Sequence, residues 1–324
     1  MAHSPPRVNI GMPVYNGESF IERSLDSLLA QTYADFEIII SDNASTDRTE
    51  SICGRYAAHE SRIRYHRLDE NLGAVPNFNR VFELSDSEYF KWAAVDDICD
   101  PTFLARCVEL LDNDLSVAWC HTRSTHIDAE GRPLDTAEAI NVSYADRQAD
   151  TPHERFRAVL LGHGGCLDSY GLIRSEVIRK TPLYLPYYGA EKVFIAELAL
   201  HGRYREVPEQ LFFPRVHSGG SGNLETAVDQ QAFMSTRDRG VRFARVRLLS
   251  GYVNALFRAK LSFVERVRCF AVVGRYLLQV GKWKGVLGRT LAGRGLGGGN
   301  IQRVKRLERR KSTAGDLPTE ASLG

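Results

Sequence analysis

Three segments in the first hundred residues place polar side chains directly after apolar runs. They are residues 13–16, 41–47 and 95–97. If the apolar runs are strands of one parallel sheet, these side chains lie at its carboxyl edge, where such sheets bind ligands. Carboxylates at that edge can accept hydrogen bonds from a ligand or hold a hard divalent cation. A single carboxylate there more often caps a helix or forms a turn, so the three segments together carry more weight than any one.

Apolar runs and helical patterns alternate along the first part of the chain. Runs typical of strands and helical spacings of apolar residues follow each other in turn, the strands at residues 8–14, 36–41, 63–68 and 89–95 and the helices at 20–29, 47–58 and 75–84. This alternation predicts an α/β fold with a mostly parallel sheet flanked by helices on both faces. The polar segments then share one sheet and can share one cleft.

The pattern continues less regularly after residue 100. Asp100 and Pro101 predict a helix over residues 100–112, with Asp100 as its N-cap. Further elements are expected to complete a first domain at residues 1–229, namely a strand at 117–127, a mobile polar loop at 136–150, a helix at 190–201 and a pair of strands at 203–213.

The composition is that of a globular protein. The chain has 324 residues, of which 43% are apolar, and its six cysteines show no metal-type spacing. Scattered cysteines in a chain of this length predict buried free thiols in a reducing compartment. The sequence has no signal-peptide pattern and no apolar run of about 18 residues, so we expect a cytoplasmic protein.

Charge is strongly segregated toward the end of the chain. Residues 237–311 contain 20 Lys and Arg but only 3 Asp and Glu, a net charge of +17, and the rest of the chain carries −15. Residues 230–292 are predicted to form a basic amphipathic helical extension, and 293–324 a charged, partly disordered tail. Residues 241–281 either contact an anionic membrane from its inner face or pack on the acidic first domain. Nucleic-acid binding is not expected, because no recognised motif accompanies the charge.

The ordered motifs of residues 8–216 resemble family 2 of the glycosyltransferases, whose GT-A fold is a Rossmann-like α/β domain. No Gly-x-Gly-x-x-Gly follows the first strand, which argues against a dehydrogenase. The motifs are Pro13-Val14-Tyr15-Asn16, Ser27-Leu28-Leu29-Ala30-Gln31-Thr32-Tyr33, Asp42-Asn43-Ala44-Ser45-Thr46-Asp47, Asn71-Leu72-Gly73, Asp96-Asp97 with Pro101, and Gly189-Ala190-Glu191.

The resemblance implies how a nucleotide-sugar donor is held. Asp42 is expected to accept a hydrogen bond from the nucleobase, although it could instead cap the following helix. Pro13, Tyr15, Asn16 and Asn79 are expected to frame the base and ribose. UDP is the nucleotide we expect.

The resemblance also implies a divalent cation, Mn²⁺ or Mg²⁺, on the donor diphosphate. The family motif is often Asp-x-Asp, and here Ala94 occupies the first acidic position, which leaves Asp96 as the ligand. Asp97 should face the other way and orient the loop or contact the sugar. His217 is a second candidate ligand, with a surface histidine beside a turn as the plain alternative, and Arg215 is expected to support the phosphates.

Glu191 occupies the family position of the catalytic base. A carboxylate at a helix start also interacts favourably with the helix dipole, so the residue type alone does not decide the role. The implied activity is an inverting hexosyltransferase (EC 2.4) that moves a sugar to a glycan or lipid-linked acceptor in cell-surface polysaccharide synthesis. Two rivals are a catalytically silent GT-A scaffold, suggested by Ala94 and Lys192, and a nucleotidyltransferase.

Overall fold

A computed structural model describes residues 5–134, 142–162, 165–187, 189–220, 224, 227–237 and 244–279. Within these residues the strands form one mixed sheet in the order β3-β2-β1-β4-β7-β6-β8-β5. The strands are β1 Val8–Val14, β2 Phe36–Asp42, β3 Ile63–Arg67, β4 Tyr89–Trp92, β5 Ile98–Cys99, β6 Val117–Ser124, β7 Leu172–Arg174 and β8 Arg203–Phe213. The predicted tail at 293–324 and part of the predicted loop at 136–150 lie outside the described residues.

Helices cover both faces of this sheet. Its first half is parallel, with β1 between β2 and β4, and β6 is parallel to β8. Strand β7 runs antiparallel between β4 and β6, and β5 runs antiparallel to β8. The helices are α1 Ile21–Leu29, α2 Thr49–His59, α3 Ala74–Glu83, α4 Phe103–Asn113, α5 Pro152–Leu161, α6 Ser175–Ile178, α7 Ala190–His201, α8 Ala227–Met234, α9 Ala244–Arg258 and α10 Phe263–Leu277.

The sheet separates two apolar cores, which explains the continuous apolar runs in the sequence. All seven residues of β1 are buried, and Ile38, Ile39 and Ile40 of β2 are fully buried on alternating faces. One core lies under α1, α2 and α4, and the other lies under α3, α5, α7, α9 and α10. A strand buried on both faces cannot alternate apolar and polar residues. The predicted α/β fold with a mostly parallel sheet is confirmed.

The predicted start of the fourth helix is wrong. Asp100 does not cap it, because α4 begins at Phe103 and Thr102 occupies the N-cap position. The Asp100 carboxylate instead accepts a hydrogen bond from the Thr102 amide (2.8 Å), which forms a turn around Pro101. The Gln31 side chain meets the first turn of α4, where its Oε1 accepts from the Leu104 amide (2.9 Å).

Three other predictions need correction. The expected pair of strands at 203–213 is one continuous strand, β8, and the strand predicted to reach residue 127 ends at Ser124. Helix α5 was not predicted. Its buried face includes Arg155, whose guanidinium bonds to the Ala199 carbonyl (2.9 Å) and hides the amphipathic pattern. The remainder of the predicted loop contains a 3-10 turn at Ala145–Arg147 and not a continuous loop.

The basic helices α9 and α10 pack on the first domain. Helix α9 contacts α7, and α10 contacts α5 and α9. For residues 241–281 the sequence left two alternatives, membrane contact or packing on the first domain. Packing on the first domain therefore applies to the inner faces of α9 and α10. Within the described residues, every helix is too short or too polar to cross a lipid bilayer.

Candidate active site

Two loops at the carboxyl edge are hydrogen-bonded into one unit. The Asn16 amide donates to Ser45 Oγ (2.9 Å), and Asn16 Oδ1 accepts from the Thr46 amide (2.8 Å). One residue later, the Gly17 amide donates to Thr49 Oγ1 (2.8 Å). Asn16 has a φ of 53°, a left-handed conformation that asparagine tolerates better than most residues. The ends of β1 and β2 therefore form one ordered surface.

Asp42 is the last residue of β2, and its fully buried carboxylate accepts hydrogen bonds from three donors. Its Oδ1 accepts from the Ser45 amide (2.8 Å), and its Oδ2 accepts from Tyr65 Oη (2.8 Å) and Arg67 Nη1 (2.6 Å). It forms the loop turn and does not cap α2, since Asp47 Oδ1 accepts the Thr49 amide there (2.9 Å). A carboxylate has about four acceptor sites, so the protein itself fills three of those of Asp42.

Two partners of Asp42 were missed from the sequence. Tyr65 and Arg67 lie on β3, where Arg67 stands directly beside Asp42 in the parallel register. The sequence places Arg67 near the end of the third predicted strand, just as it places Asp42 directly after the second. Only the register makes them neighbours.

Asn43 holds the Asn71-Leu72-Gly73 motif against the end of β2. Its Nδ2 donates to Asn71 Oδ1 (2.9 Å) and the Gly73 carbonyl (3.0 Å), while its Oδ1 accepts from the Leu72 amide (2.9 Å). Gly73 has a φ of 91°, and a side chain there would meet the backbone of Ser235 at 2.6 Å. The motif thus joins the β2 loop to the segment after α8.

Helix α3 presents a different asparagine to the strand ends than the one expected. Asn79 bonds through both ends of its amide to the backbone of Tyr184, at 3.0 Å each. Asn77, which the sequence did not single out, is buried and donates to the Ser41 carbonyl (2.8 Å). Its Oδ1 is buried without a hydrogen-bond partner among the described residues. Two other residues were predicted to contact the nucleotide-sugar donor. Pro13 is buried in β1, and Tyr15 lies just after β1 with an exposed ring.

The acidic segment after β4 meets the segment after β8. Asp96 Oδ2 lies 2.9 Å from His217 Nε2, so the two predicted metal ligands are adjacent. Asp97 faces the other way, and its Oδ1 accepts from the Arg215 amide (2.9 Å). Burial and the neighbouring Asp96 carboxylate raise the pKa of Asp97 well above its usual range. The ring of Phe20, just before α1, lies 4.5 Å from the His217 ring and joins this pair to the β1 loop.

The Arg215 guanidinium supports the acidic segment. Its Nε donates to the Asp96 carbonyl (2.8 Å), and its Nη1 donates to the carbonyls of Asp128 and Ala129 (2.9 Å each). The guanidinium also lies over the Phe20 ring, 5.0 Å from its centroid. Arg215 thus fixes the backbone that carries Asp96, and a contact with phosphate stays a prediction.

Glu191 lies in the first turn of α7 and is half-buried. Burial raises its pKa, while first-turn backbone amides and the Lys192 charge act in the opposite direction. Burial raises the pKa of Tyr170, and the charges of Asp97, Asp96 and Glu191 raise it further.

Asp96 and His217 could hold a divalent cation only if a bound ligand supplied further donor atoms. Among the described residues, no group of three or more His, Cys, Asp and Glu side chains could hold a metal ion. The Asp96 carboxylate and His217 imidazole supply one oxygen and one nitrogen donor, a set that suits Mn²⁺. A phosphate-bearing ligand would have to complete the coordination.

These features define the class of protein. An α/β sheet with polar loops at its parallel strand ends, an Asp–His pair beside them and a carboxylate on a neighbouring helix is the arrangement of a GT-A glycosyltransferase. The sequence profile of glycosyl transferase family 2 matches residues 9–181, more than half of the chain. The chain belongs to this family.

Two bacterial relatives are similar over part of the chain. The chondroitin synthase of Escherichia coli is 33% identical over 126 residues, which is 39% of this chain and 18% of that protein. The putative teichuronic acid biosynthesis glycosyltransferase TuaG of Bacillus subtilis is 31% identical over 135 residues, which is 42% of this chain and 53% of that protein. The chain thus matches less than two thirds of either relative's length.

Two solved structures share the fold. TarS of S. aureus, residues 1–349 in complex with UDP-GlcNAc, superposes with a TM-score of 0.56 at 16% identity and covers 94% of this chain and 92% of that one. The mannosyltransferase PcManGT of Pyrobaculum calidifontis, in complex with GDP-Man and Mn²⁺, gives a TM-score of 0.54 at 19% identity and covers 97% and 81%. The GT-A fold implied by the sequence resemblance is confirmed.

Proposed function

We propose that this chain is an inverting glycosyltransferase that moves a sugar from a UDP-sugar to a glycan or lipid-linked acceptor in cell-surface polysaccharide synthesis. The observation that supports this most is the Asp96–His217 pair, 2.9 Å apart at the parallel strand ends. The UDP-GlcNAc complex of TarS and the name of TuaG favour this donor and this kind of product.

The hydrogen-bonded loops after β1 and β2 bind the nucleoside part of the donor. Asp42 uses its remaining acceptor site for a nucleobase N–H, held in place by Tyr65 and Arg67. The exposed Tyr15 ring stacks on the base, and Asn16 frames the ribose. Asn77 of α3 bonds to the Ser41 carbonyl at this site, whereas Asn79 bonds to the backbone of Tyr184.

The donor diphosphate binds beside Asp96 and His217, which would hold Mn²⁺ or Mg²⁺. Such a cation, when bound, neutralises the negative charge that develops on the leaving diphosphate. Arg215 holds the Asp96 backbone, and Asp97 holds the Arg215 amide, so both ligands are positioned before the donor arrives. This preorganisation lowers the cost of assembling the site.

Glu191 acts as the general base. It takes the proton from the acceptor hydroxyl as that oxygen bonds to the anomeric carbon, while the bond from that carbon to the diphosphate oxygen breaks and its electron pair leaves with the diphosphate. Attack from the opposite face inverts the anomeric configuration. Burial makes Glu191 a stronger base than an exposed glutamate, because it raises the pKa of the carboxyl group.

The proposed location is the cytoplasm, at the inner face of the plasma membrane, and free thiols support the cytoplasmic part of it. All six cysteines are free, and five of them are buried. Thiols persist in a reducing compartment, where nucleotide sugars are also available to an enzyme.

Asp96→Ala tests the proposal, with Asp35→Ala as the matched control. Asp35 is an exposed carboxylate just before β2, at the opposite end of that strand from Asp42. With Mn²⁺ or Mg²⁺ and a panel of nucleotide sugars, we expect Asp96→Ala to lose transfer and donor hydrolysis while thermal unfolding is unchanged, and Asp35→Ala to keep both activities. Full activity in folded Asp96→Ala would remove the metal assignment.

The same assays separate the two rivals. Wild-type protein that turns over no nucleotide sugar from the full panel would favour the silent scaffold, whose case comes from Ala94 and Lys192. Pyrophosphate release from a nucleoside triphosphate would instead identify a nucleotidyltransferase.

A further inference from the structure

Helix α10 has two apolar faces. Its inner face is buried against α5 and α9 through Cys269, Val272, Val273 and Tyr276. A helix that only completed a core would place polar residues on the opposite side. The opposite side of α10 is also apolar, and this feature has no role in the core.

The outward side chains of α9 and α10 form an outer apolar patch. Its members are all exposed by more than a third: Phe263 by 82%, Leu278 by 77% and Val267 by 51%. The rings of Phe257 and Phe270 lie 5.8 Å apart and join the two helices into one surface. Within the described part of the chain nothing buries these side chains. The outer apolar patch comprises Phe257, Phe263, Val264, Val267, Phe270, Leu277 and Leu278.

Basic side chains surround the outer apolar patch. Lys260, between α9 and α10, and Arg268 and Arg275 of α10 are exposed. Arg268 also pairs with Glu265 of the same helix (3.1 Å). These three basic residues belong to the stretch 237–311 with 20 Lys and Arg against 3 Asp and Glu. Large exposed apolar patches mark interaction sites, and a basic rim selects an anionic partner. A second copy of the chain would bring the same positive rim to this surface, so self-association is disfavoured.

We propose that the outer apolar patch docks on the surface of an anionic lipid bilayer. Apolar side chains enter the boundary between headgroups and acyl chains, and Lys260, Arg268 and Arg275 contact anionic headgroups. Helices α9 and α10 would then lie in the plane of the interface, with their inner faces still packed on the protein.

The docking surface is rigidly connected to the helix that carries Glu191. Gly251 of α9 lies so close to α7 that a side chain there would approach Val193 at 2.9 Å. Arg258 donates to the buried Glu197 of α7 through Nε (2.7 Å) and Nη2 (2.8 Å). A bilayer under α10 therefore sets the orientation of Glu191 relative to the lipid. This step rests on the proposed function, because a lipid-linked acceptor needs such an orientation.

Flotation of the full-length protein with vesicles tests the docking. The probes are phosphatidylcholine vesicles and vesicles with three parts in ten of phosphatidylglycerol. We expect wild type to float with the anionic vesicles, less so at high salt, and Val267→Glu to lower the bound fraction about tenfold. The control is Leu115→Glu, which places the same charge at an 81% exposed leucine between α4 and β6. It should float like wild type.

Besides a wild-type protein that does not float, two results would overturn the proposal. One is flotation of folded Val267→Glu equal to that of wild type. The other is a wild-type dimer in sedimentation velocity that Val267→Glu converts to a monomer, which would assign the patch to a second copy. Flotation needs no turnover, so an active enzyme that does not float refutes only the docking, and an inactive protein that floats refutes only the transferase.

Discussion

The ion pair between Arg258 and Glu197 allows a quantitative test of how α9 is held. The Glu197 side chain is 1% exposed in the middle of α7, whereas Arg258 at the end of α9 is 36% exposed. Removing one partner of a fully buried pair costs about 3–5 kcal/mol, because a charge is left without compensation. Arg258→Leu leaves the buried carboxylate, and with partial solvent access from the Arg258 side we expect a cost of about 2–3 kcal/mol.

The reverse change should be milder. Glu197→Leu leaves a guanidinium that is already one-third exposed and can turn toward water, so we expect about 1 kcal/mol. The double variant should cost no more than Glu197→Leu alone, since no charge is then buried unpaired. Urea unfolding followed by tryptophan fluorescence measures all three free energies. The coupling energy of the double-mutant cycle should be about 2–3 kcal/mol in magnitude.

Arg106 and Glu209 provide the matched control. Arg106 donates to the Glu209 carboxylate through Nε (2.9 Å) and Nη2 (2.8 Å), the same bidentate geometry. Both side chains are more than 40% exposed. Replacing either should cost below about 1 kcal/mol. Equal costs for Arg258→Leu and Glu197→Leu, or for the exposed and buried pairs, would refute the reasoning from burial.

Two more predictions concern the donor loop and the base. Gly73→Ala should destabilise the fold by about 2 kcal/mol or more, because its φ of 91° and the Ser235 backbone both exclude a side chain. Gly54→Ala, in open space on α2, should stabilise it by about 0.5–1 kcal/mol, and thermal unfolding that shows no difference between the two would contradict this. Glu191→Gln should lower kcat by about 10²–10⁴. Since burial raises the pKa of Glu191 and only the ionised form accepts a proton, wild-type activity should fall on acidification at a pH above the ordinary carboxyl range. An acid limb that Glu191→Gln retains would exclude this base.

Much of the sheet was predictable because it is buried on both faces. The apolar run of β1 matches its observed bounds, as does helix α7. Helix starts were harder to predict. Asp100 and Thr102 are both good N-cap residues, and the side chain that accepts the Leu104 amide in the first turn belongs to Gln31, which is distant in the sequence. Helix α5 was not predicted, because its buried arginine, Arg155, interrupts the apolar spacing by which an amphipathic helix is recognised in a sequence.

The site residues that follow strand ends could be predicted from the sequence. Those whose position depends on the rotation of a helix or on the register between two strands could not. Asp42 and Asp96 follow apolar runs, which the sequence shows directly. Asn77 and Asn79 lie about 200° apart around α3, so only the rotation of the helix decides which one reaches the sheet. Arg67 reaches Asp42 only through the β2–β3 register. The roles of these side chains stay predictions until the variants are measured.

The Asp96–His217 pair also has a consequence for folding while the chain is being translated. The two residues are 121 positions apart, whereas β1 to β4 are complete once residue 92 has emerged from the ribosome. The nucleoside surface can therefore form early from nearby segments, but the pair must wait for β8 and closure of a long loop.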